Sequence, residues 1–221
     1  MLKLLKQRNR HKETLFMGML TILCFGLSIF RFLYTGSPLY LFLDWNLFLA
    51  AIPWVLSSMA ILKPKILNHK IIILAIFLAW VLFFPNAPYI LTDLFHLRIE
   101  SSMPLWFDLL LILSFAWTGL LFGFLSLWDI EKVLEKTMNR FLITLMSVGL
   151  LFLGSFGVYL GRYLRWNSWD VIREPFGLLH DIGGRVISPF EYRGTWGMTI
   201  FMGIFLNIMY WSFRLIKTKK E

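Results

Sequence analysis

Long apolar runs alternate with short polar segments along the whole chain. Each run approaches the roughly 20 residues that a helix needs to cross the hydrocarbon core of a bilayer, and the strict alternation typical of membrane strands is missing. The pattern therefore predicts an all-α polytopic bundle of six transmembrane spans. We place the spans at about residues 14–34, 44–62, 70–97, 105–128, 141–164 and 195–214.

The third span contains an unusual polar stretch, "FFPNAPYILTDLFHL", at residues 83–97. The run before it, "KIIILAIFLAWVLFF", gives a helix of about 22 Å, whereas the hydrocarbon core is about 30 Å thick. Pro85 lacks an N–H group, and Pro88 disfavours helix at the preceding residue. We expect the span to be broken at Pro85–Pro88, Asn86 to bind freed carbonyls, and a short helix to resume from Tyr89. The alternative is a simple proline kink.

Ionisable residues follow the predicted break. Asp93 and His96 are three positions apart and should share a helix face. Asp108 lies about one turn inside the fourth span, where a charged group usually faces the bundle interior, although it could snorkel outward. These three residues, Asp93, His96 and Asp108, are our candidate acid–base group. Asp44, at the start of the second span, is read as a helix N-cap.

The fifth span ends in "GVYLGRYLRWNSWD", in which Arg162 and Arg165 are also three positions apart. If the helix continues, the two guanidinium groups share a face. They could pair with an aspartate, or hold an anionic headgroup or phosphate, whose oxygens suit the guanidinium fork. The candidate binding residues are Asn46, Asn86, Tyr89, Arg162, Arg165, Asn167 and Asp170.

The connection over about residues 165–194 has its own pattern. Pro175 could open a helix, and the apolar residues after it recur at helical spacing. We expect an amphipathic helix in the membrane interface, with a solvated loop as the alternative. Glycine pairs four residues apart in the fourth and fifth spans also favour direct contact between these two spans.

Composition and charge fit this picture. The chain is 58% hydrophobic and 16% charged, against about 25% charged in soluble domains. Most Lys and Arg residues fall in the tails and in the 2–3 and 4–5 connections, so the net charge of +9 indicates membrane topology rather than nucleic-acid binding. We predict cytoplasmic tails at 1–13 and 217–221, one membrane domain at 14–216, and an uncleaved first span. The single cysteine, Cys24, cannot form an internal disulfide.

The segments "WNLFLAAIP", "LFFPNAPYILTDLFHL", "WFD" and "GVYLGRYLRWNSWD" together resemble the bacterial membrane-protein family called domain of unknown function 1361. The resemblance covers about residues 40–215. It implies a multi-pass protein of a bacterial plasma membrane, and it implies no established activity, so it assigns no catalytic residue.

Four functional hypotheses remain open, because no P-loop, dinucleotide fingerprint, nucleophile elbow or paired CxxC is present. The first is a polar site at the outer leaflet that binds an anionic amphiphile or lipid-linked substrate, as a binding protein or an enzyme without cofactor. The others are a small transporter or channel, a metal site, and a structural scaffold. The metal alternative would use Asp93, His96, Asp108 and His180. The partner expected in every case is the lipid bilayer, and the sequence leaves the oligomeric state open.

Overall fold

The structure, a computed structural model, describes residues 10–62, 69–97, 102–135 and 137–218. These residues form helices and no strand, and six of the helical segments are long and apolar enough to cross a membrane. The predicted all-α fold with six candidate spans is therefore confirmed. The helices are α1 (His11–Thr35), α2 (Phe42–Leu62), α3 (Lys70–Phe83), α4 (Asn86–Tyr89), α5 (Leu105–Leu134), α6 (Arg140–Tyr163), α7 (Asp170–Arg173), α8 (Pro175–Ile187) and α9 (Arg193–Thr218), with a 3-10 helix over Ile90–His96.

Local signals account for several helix ends. Gly36 ends α1 in the left-handed conformation (φ 66), and its N–H donates to the carbonyl of Phe32, as glycine C-caps do. The side chain of Asn139 caps α6 by accepting from the N–H of Leu142 at 2.8 Å. Helix α5 runs beyond the predicted end of the fourth span, to Leu134, and the side chains of Asp129 and Glu131 in this extension are buried.

The chain divides into two compact units, Met1–Val133 and Leu134–Glu221, here called unit 1 and unit 2. The fourth span lies in unit 1 and the fifth span lies in unit 2, so the predicted contact between them stays a prediction. The prediction of a single membrane domain also stays a prediction. The basic residues at 1–9, 63–68, 136 and 219–221 lie outside the described residues. The cytoplasmic orientation of the termini, which depends on them, also stays a prediction.

The break in the third span is confirmed, but the backbone does not unwind. Helix α3 ends at Phe83, and Pro85 keeps right-handed helical angles (φ −60, ψ −23) before α4 begins. The chain then tightens into the 3-10 helix. As predicted, the Asn86 side chain donates to a freed carbonyl, that of Phe83, at 2.9 Å.

Protein, rather than lipid, covers the broken segment. Ala87 and Ile90 are fully buried. A Cβ placed on Gly119 of α5 would lie 2.8 Å from Ile90 Cδ1, and one on Gly123 would lie 2.8 Å from Ala87 Cβ. Within unit 1, the glycine pair of the fourth span therefore allows close approach of the broken third span. Such burial is what irregular backbone at membrane depth requires.

Three side-chain contacts join α1 to α5 and fix their antiparallel register. Arg31 pairs with Asp108 at one end, Cys24 Sγ and Thr118 Oγ1 are 3.4 Å apart in the middle, and Arg10 pairs with Asp129 at the other end. We call the two ends of unit 1 the Arg31 end and the Arg10 end.

Unit 2 is built on the packing of α6 against α9. The two helices approach closely at Gly203, where an added Cβ would overlap the ring of Phe152. Helices α7 and α8 lie in the connection between them, and α8 has the predicted Pro175 at its first position. The predicted helix in this connection is confirmed.

Candidate functional site

The Asp93 side chain is the centre of the candidate site at the Arg31 end. It is completely buried (0% exposed), and its Oδ2 accepts a 2.9 Å hydrogen bond from the amide of Asn46 on α2. Burying a carboxylate is costly unless polar partners surround it. The position of Asp93 on the 3-10 helix, directly after the break, is what turns this carboxylate toward α2.

His96 lies next to Asp93 and remains accessible. Its Nδ1 is 4.0 Å from Asp93 Oδ1, and 44% of its side chain is exposed. Residues three apart eclipse one another in a 3-10 helix, so the predicted shared face is confirmed. A buried carboxylate beside an accessible imidazole is an arrangement that can orient the ring for proton transfer.

Asp108 faces the interior, as predicted, but its main partner was not foreseen. Arg31 Nε and Nη2 donate to its two carboxylate oxygens at 2.6 and 3.2 Å. The Arg31 side chain is 2% exposed and that of Asp108 is 0% exposed, so the pair is a buried bidentate ion pair. This engagement favours Asp93 and His96 over Asp108 for acid–base work.

Tyr40 connects the ion pair to the histidine segment. The guanidinium carbon of Arg31 lies 4.5 Å from the centre of the Tyr40 ring, and the Tyr40 hydroxyl donates to the carbonyl of His96 at 3.0 Å. The ring of Phe42 lies 5.2 Å from the imidazole, between centroids. The ion pair thus supports the backbone that carries His96.

The predicted N-cap role of Asp44 is wrong. Helix α2 begins two residues earlier, at Phe42, and Asp44 Oδ2 instead accepts from Ser28 Oγ on α1 at 2.8 Å. Tyr89, a predicted binding residue, contributes its carbonyl to a hydrogen bond with Thr92 Oγ1 at 2.6 Å.

A second buried network, at the Arg10 end of unit 1, was not predicted. Arg10 donates to Asp129 and to Glu13, each at 2.7 Å. Ser57 Oγ also donates to Asp129, at 2.9 Å, and Trp54 Nε1 donates to Glu13 at 3.4 Å. The network joins α1, α2 and α5.

The predicted binding residues of unit 2 do not share a helix face. Helix α6 ends at Tyr163, so Arg165 lies outside it, in the left-handed conformation (φ 62), and the i,i+3 argument linking it to Arg162 is wrong. Arg165 is exposed and Arg162 is half-buried. Asn167 donates to Asp170 Oδ2 through its backbone N–H at 2.7 Å, which forms the turn before α7. Their binding roles stay predictions.

The metal alternative gains no support from the geometry. Among residues 10–62, 69–97, 102–135 and 137–218, no three His, Cys, Asp or Glu side chains come together as metal ligands could. His180, the fourth member of that set, is exposed on α8 in unit 2.

A family model described as "Protein of unknown function (DUF1361)" matches residues 45–209, which is most of the chain and includes Asn46, Asp93, His96 and Asp108. The chain belongs to this family. The predicted resemblance is therefore confirmed, and with it a multi-pass membrane protein of unknown function. No curated protein and no solved structure matches the chain.

Arg10 and Arg31 both precede the residues matched by the family model. From the sequence they were interpreted only as indicators of membrane topology. A sequence pattern nevertheless indicates that these two arginines are structural. Arg10, Met17, Cys24 and Arg31 recur every seven residues, and so do Asp108, Phe115, Phe122 and Asp129. Heptad spacing places residues on one seam of a helix, so each helix presents a charge at both ends of its seam.

Proposed function

We propose that this protein binds the anionic headgroup of an amphiphile at the outer leaflet, through a site that contains Asp93 and His96. The observation that carries the proposal is the pairing of a fully buried carboxylate with a half-exposed imidazole 4.0 Å away. The exposed ring provides a donor for headgroup oxygens, and Asn46 and Asp93 hold the segment behind it.

The site would also suit an enzyme acting on a lipid-linked substrate. A histidine positioned by a buried aspartate can remove a proton from a nucleophile and return it to a leaving group. In this proposal the bacterial plasma membrane is the location and both termini are cytoplasmic. Arg162 and Arg165 of unit 2 are proposed as further anion-binding groups and are tested by themselves, as the double variant Arg162→Gln, Arg165→Gln.

The test is native mass spectrometry of the detergent-solubilised protein with a headgroup panel of phosphatidylcholine, phosphatidylglycerol, phosphatidic acid and a polyprenyl phosphate. We expect the anionic members to bind and His96→Gln to weaken binding about tenfold or more, because losing a hydrogen bond to a charged group costs about 1.5–3 kcal/mol. His180→Gln, which changes an exposed histidine of unit 2, is the matched control and should bind normally.

A structural scaffold is the second candidate, and the Arg31–Asp108 and Asn46–Asp93 contacts favour it because they tie α1, α2, α5 and the 3-10 helix together. Under that function, Asp93→Asn and His96→Gln lower stability without any headgroup-specific loss. Equal binding of all four lipids by the wild type and by His96→Gln would therefore reject the headgroup site in favour of the scaffold. Solute flux in proteoliposomes tests the transporter alternative.

A further inference from the structure

Helix α8 buries the polar side chain of Arg185 and exposes four large apolar side chains, with the exposed His180 beside them. Arg185 is buried (7% exposed), whereas Phe176 and Ile187 are 85% and 83% exposed. Leu179 and Val186 are exposed on the same face as Phe176 and Ile187. An amphipathic helix on a water-soluble protein has the opposite arrangement.

The polar face of α8 contains an ion pair within the helix and a contact with an aromatic ring outside it. Arg185 Nη1 donates to the carbonyl and the carboxylate of Asp181, at 2.7 and 3.2 Å. Its guanidinium carbon lies 4.7 Å from the centre of the Tyr192 ring. The Arg185 guanidinium is thereby held against Tyr192.

Two tryptophans tie α8 to the ends of neighbouring candidate spans. Trp166, just past the end of α6, donates to Asp181 Oδ2 at 2.8 Å. Trp196, in the first turn of α9, donates to the carbonyl of Arg185 at 2.9 Å. Because α6 and α9 are long and apolar enough to cross a membrane, these bonds place α8 beside the ends of two candidate spans. Tryptophan is enriched at membrane–water interfaces.

We propose that α8 is an interfacial membrane helix whose partner is the lipid bilayer, with Phe176, Leu179, Val186 and Ile187 buried in the acyl-chain boundary. Ile172 of α7 and Phe190, which are 84% and 83% exposed, are further exposed apolar side chains before and after α8 in the chain. This inference is independent of the headgroup site in unit 1.

Hydrophobic insertion, rather than charge, is what attracts this segment to lipid. Between residues 165 and 194 the basic side chains are balanced by an equal number of acidic ones. Polybasic segments bind membranes through electrostatic attraction to anionic lipids. Because the charges of this segment balance, that attraction does not contribute here. A neutral, zwitterionic bilayer is therefore sufficient for insertion.

The experiment uses site-directed spin labelling of the full chain in phosphatidylcholine vesicles. Cys24 is the single cysteine and is buried, so Cys24→Ser gives a background without reactive thiols. Labels are placed at Phe176→Cys and Leu179→Cys. Phe201→Cys, on an exposed position of α9, is the lipid control, and Thr137→Cys, in the polar connection before α6, is the water control.

We expect the labels at Phe176 and Leu179 to collide with oxygen more often than with a water-soluble nickel complex, as at Phe201, and the Thr137 label to show the reverse. All four positions are exposed, so elution as a single species is expected for each variant. Labels at Phe176 and Leu179 that behave like Thr137 would overturn the proposal. Spin–spin broadening that disappears on dilution with unlabelled protein would also overturn it, because a second copy would then cover the face.

Discussion

The Arg31–Asp108 pair should dominate the stability of unit 1, and Asp108→Asn is the perturbation that shows it. The substitution keeps the size of the side chain but leaves the Arg31 guanidinium, only 2% exposed, without its counter-charge. Removing one partner of a buried ion pair costs about 3–5 kcal/mol. We therefore expect the unfolding equilibrium to shift by a factor of roughly a hundred to several thousand.

The assay is unfolding in mixed micelles of increasing denaturing-detergent fraction, followed by circular dichroism. The rescue variant replaces both partners with apolar residues, Arg31→Met and Asp108→Leu. Since replacing a whole buried pair is often neutral or stabilising, this double variant should be markedly more stable than Asp108→Asn. Glu135→Gln, at an exposed acid, is the control and should stay within about 0.5 kcal/mol of the wild type.

Two results would refute this reasoning. One is an Asp108→Asn variant as stable as Glu135→Gln, which would mean that Arg31 has no need of the Asp108 charge. The other is a double apolar variant less stable than Asp108→Asn, which would mean that the two side chains act separately.

Three further predictions use the same unfolding assay. Asp129→Asn should cost less than Asp108→Asn, about 1.5–3 kcal/mol, because it weakens a charged hydrogen bond while Arg10 keeps its ion pair with Glu13; a cost as large as that of Asp108→Asn contradicts this. Gly123→Ala should cost about 1–3 kcal/mol, since the new Cβ would lie 2.8 Å from Ala87 Cβ, whereas Gly149→Ala meets no atom within 4 Å and should be neutral or stabilising. Arg165→Gly should stabilise by roughly 1 kcal/mol, because φ is 62 there and left-handed backbone strains a residue with a Cβ; loss of stability would show that the Arg165 side chain matters more than its backbone.

Features set by neighbouring residues could be predicted from the sequence. Six apolar runs gave six candidate spans, Pro85 and Pro88 marked the break, and Pro175 marked the start of α8. Each of these depends on helix length or on the missing N–H of proline, which one stretch of chain determines by itself.

Features set by contacts between helices could not be predicted in the same way. Arg31 and Asp108 are far apart in sequence and meet only because α1 and α5 pack in one register. Asp129 is likewise far in sequence from Arg10 and Ser57, which both donate hydrogen bonds to it. The sequence does place Asp93 and His96 together, because their spacing within one short helix is sufficient.

The two ion pairs of the α1–α5 seam also bear on where chemistry can occur. In α1 three heptads separate Arg10 from Arg31, and three heptads separate Asp108 from Asp129 in α5. At 1.5 Å per residue the pairs are about 31 Å apart along the helices, close to the roughly 30 Å thickness of the hydrocarbon core.

Both pairs contribute to the antiparallel register of α1 and α5, one near each end of the two helices. Asp108 is one half of such a pair, and its acid–base role stays a prediction. Asp93 and His96 are not part of either pair, since Asp93 is held by an amide on α2 and its neighbouring imidazole is accessible. The buried carboxylate of Asp93 and the accessible imidazole of His96 therefore stay the basis of the proposed site.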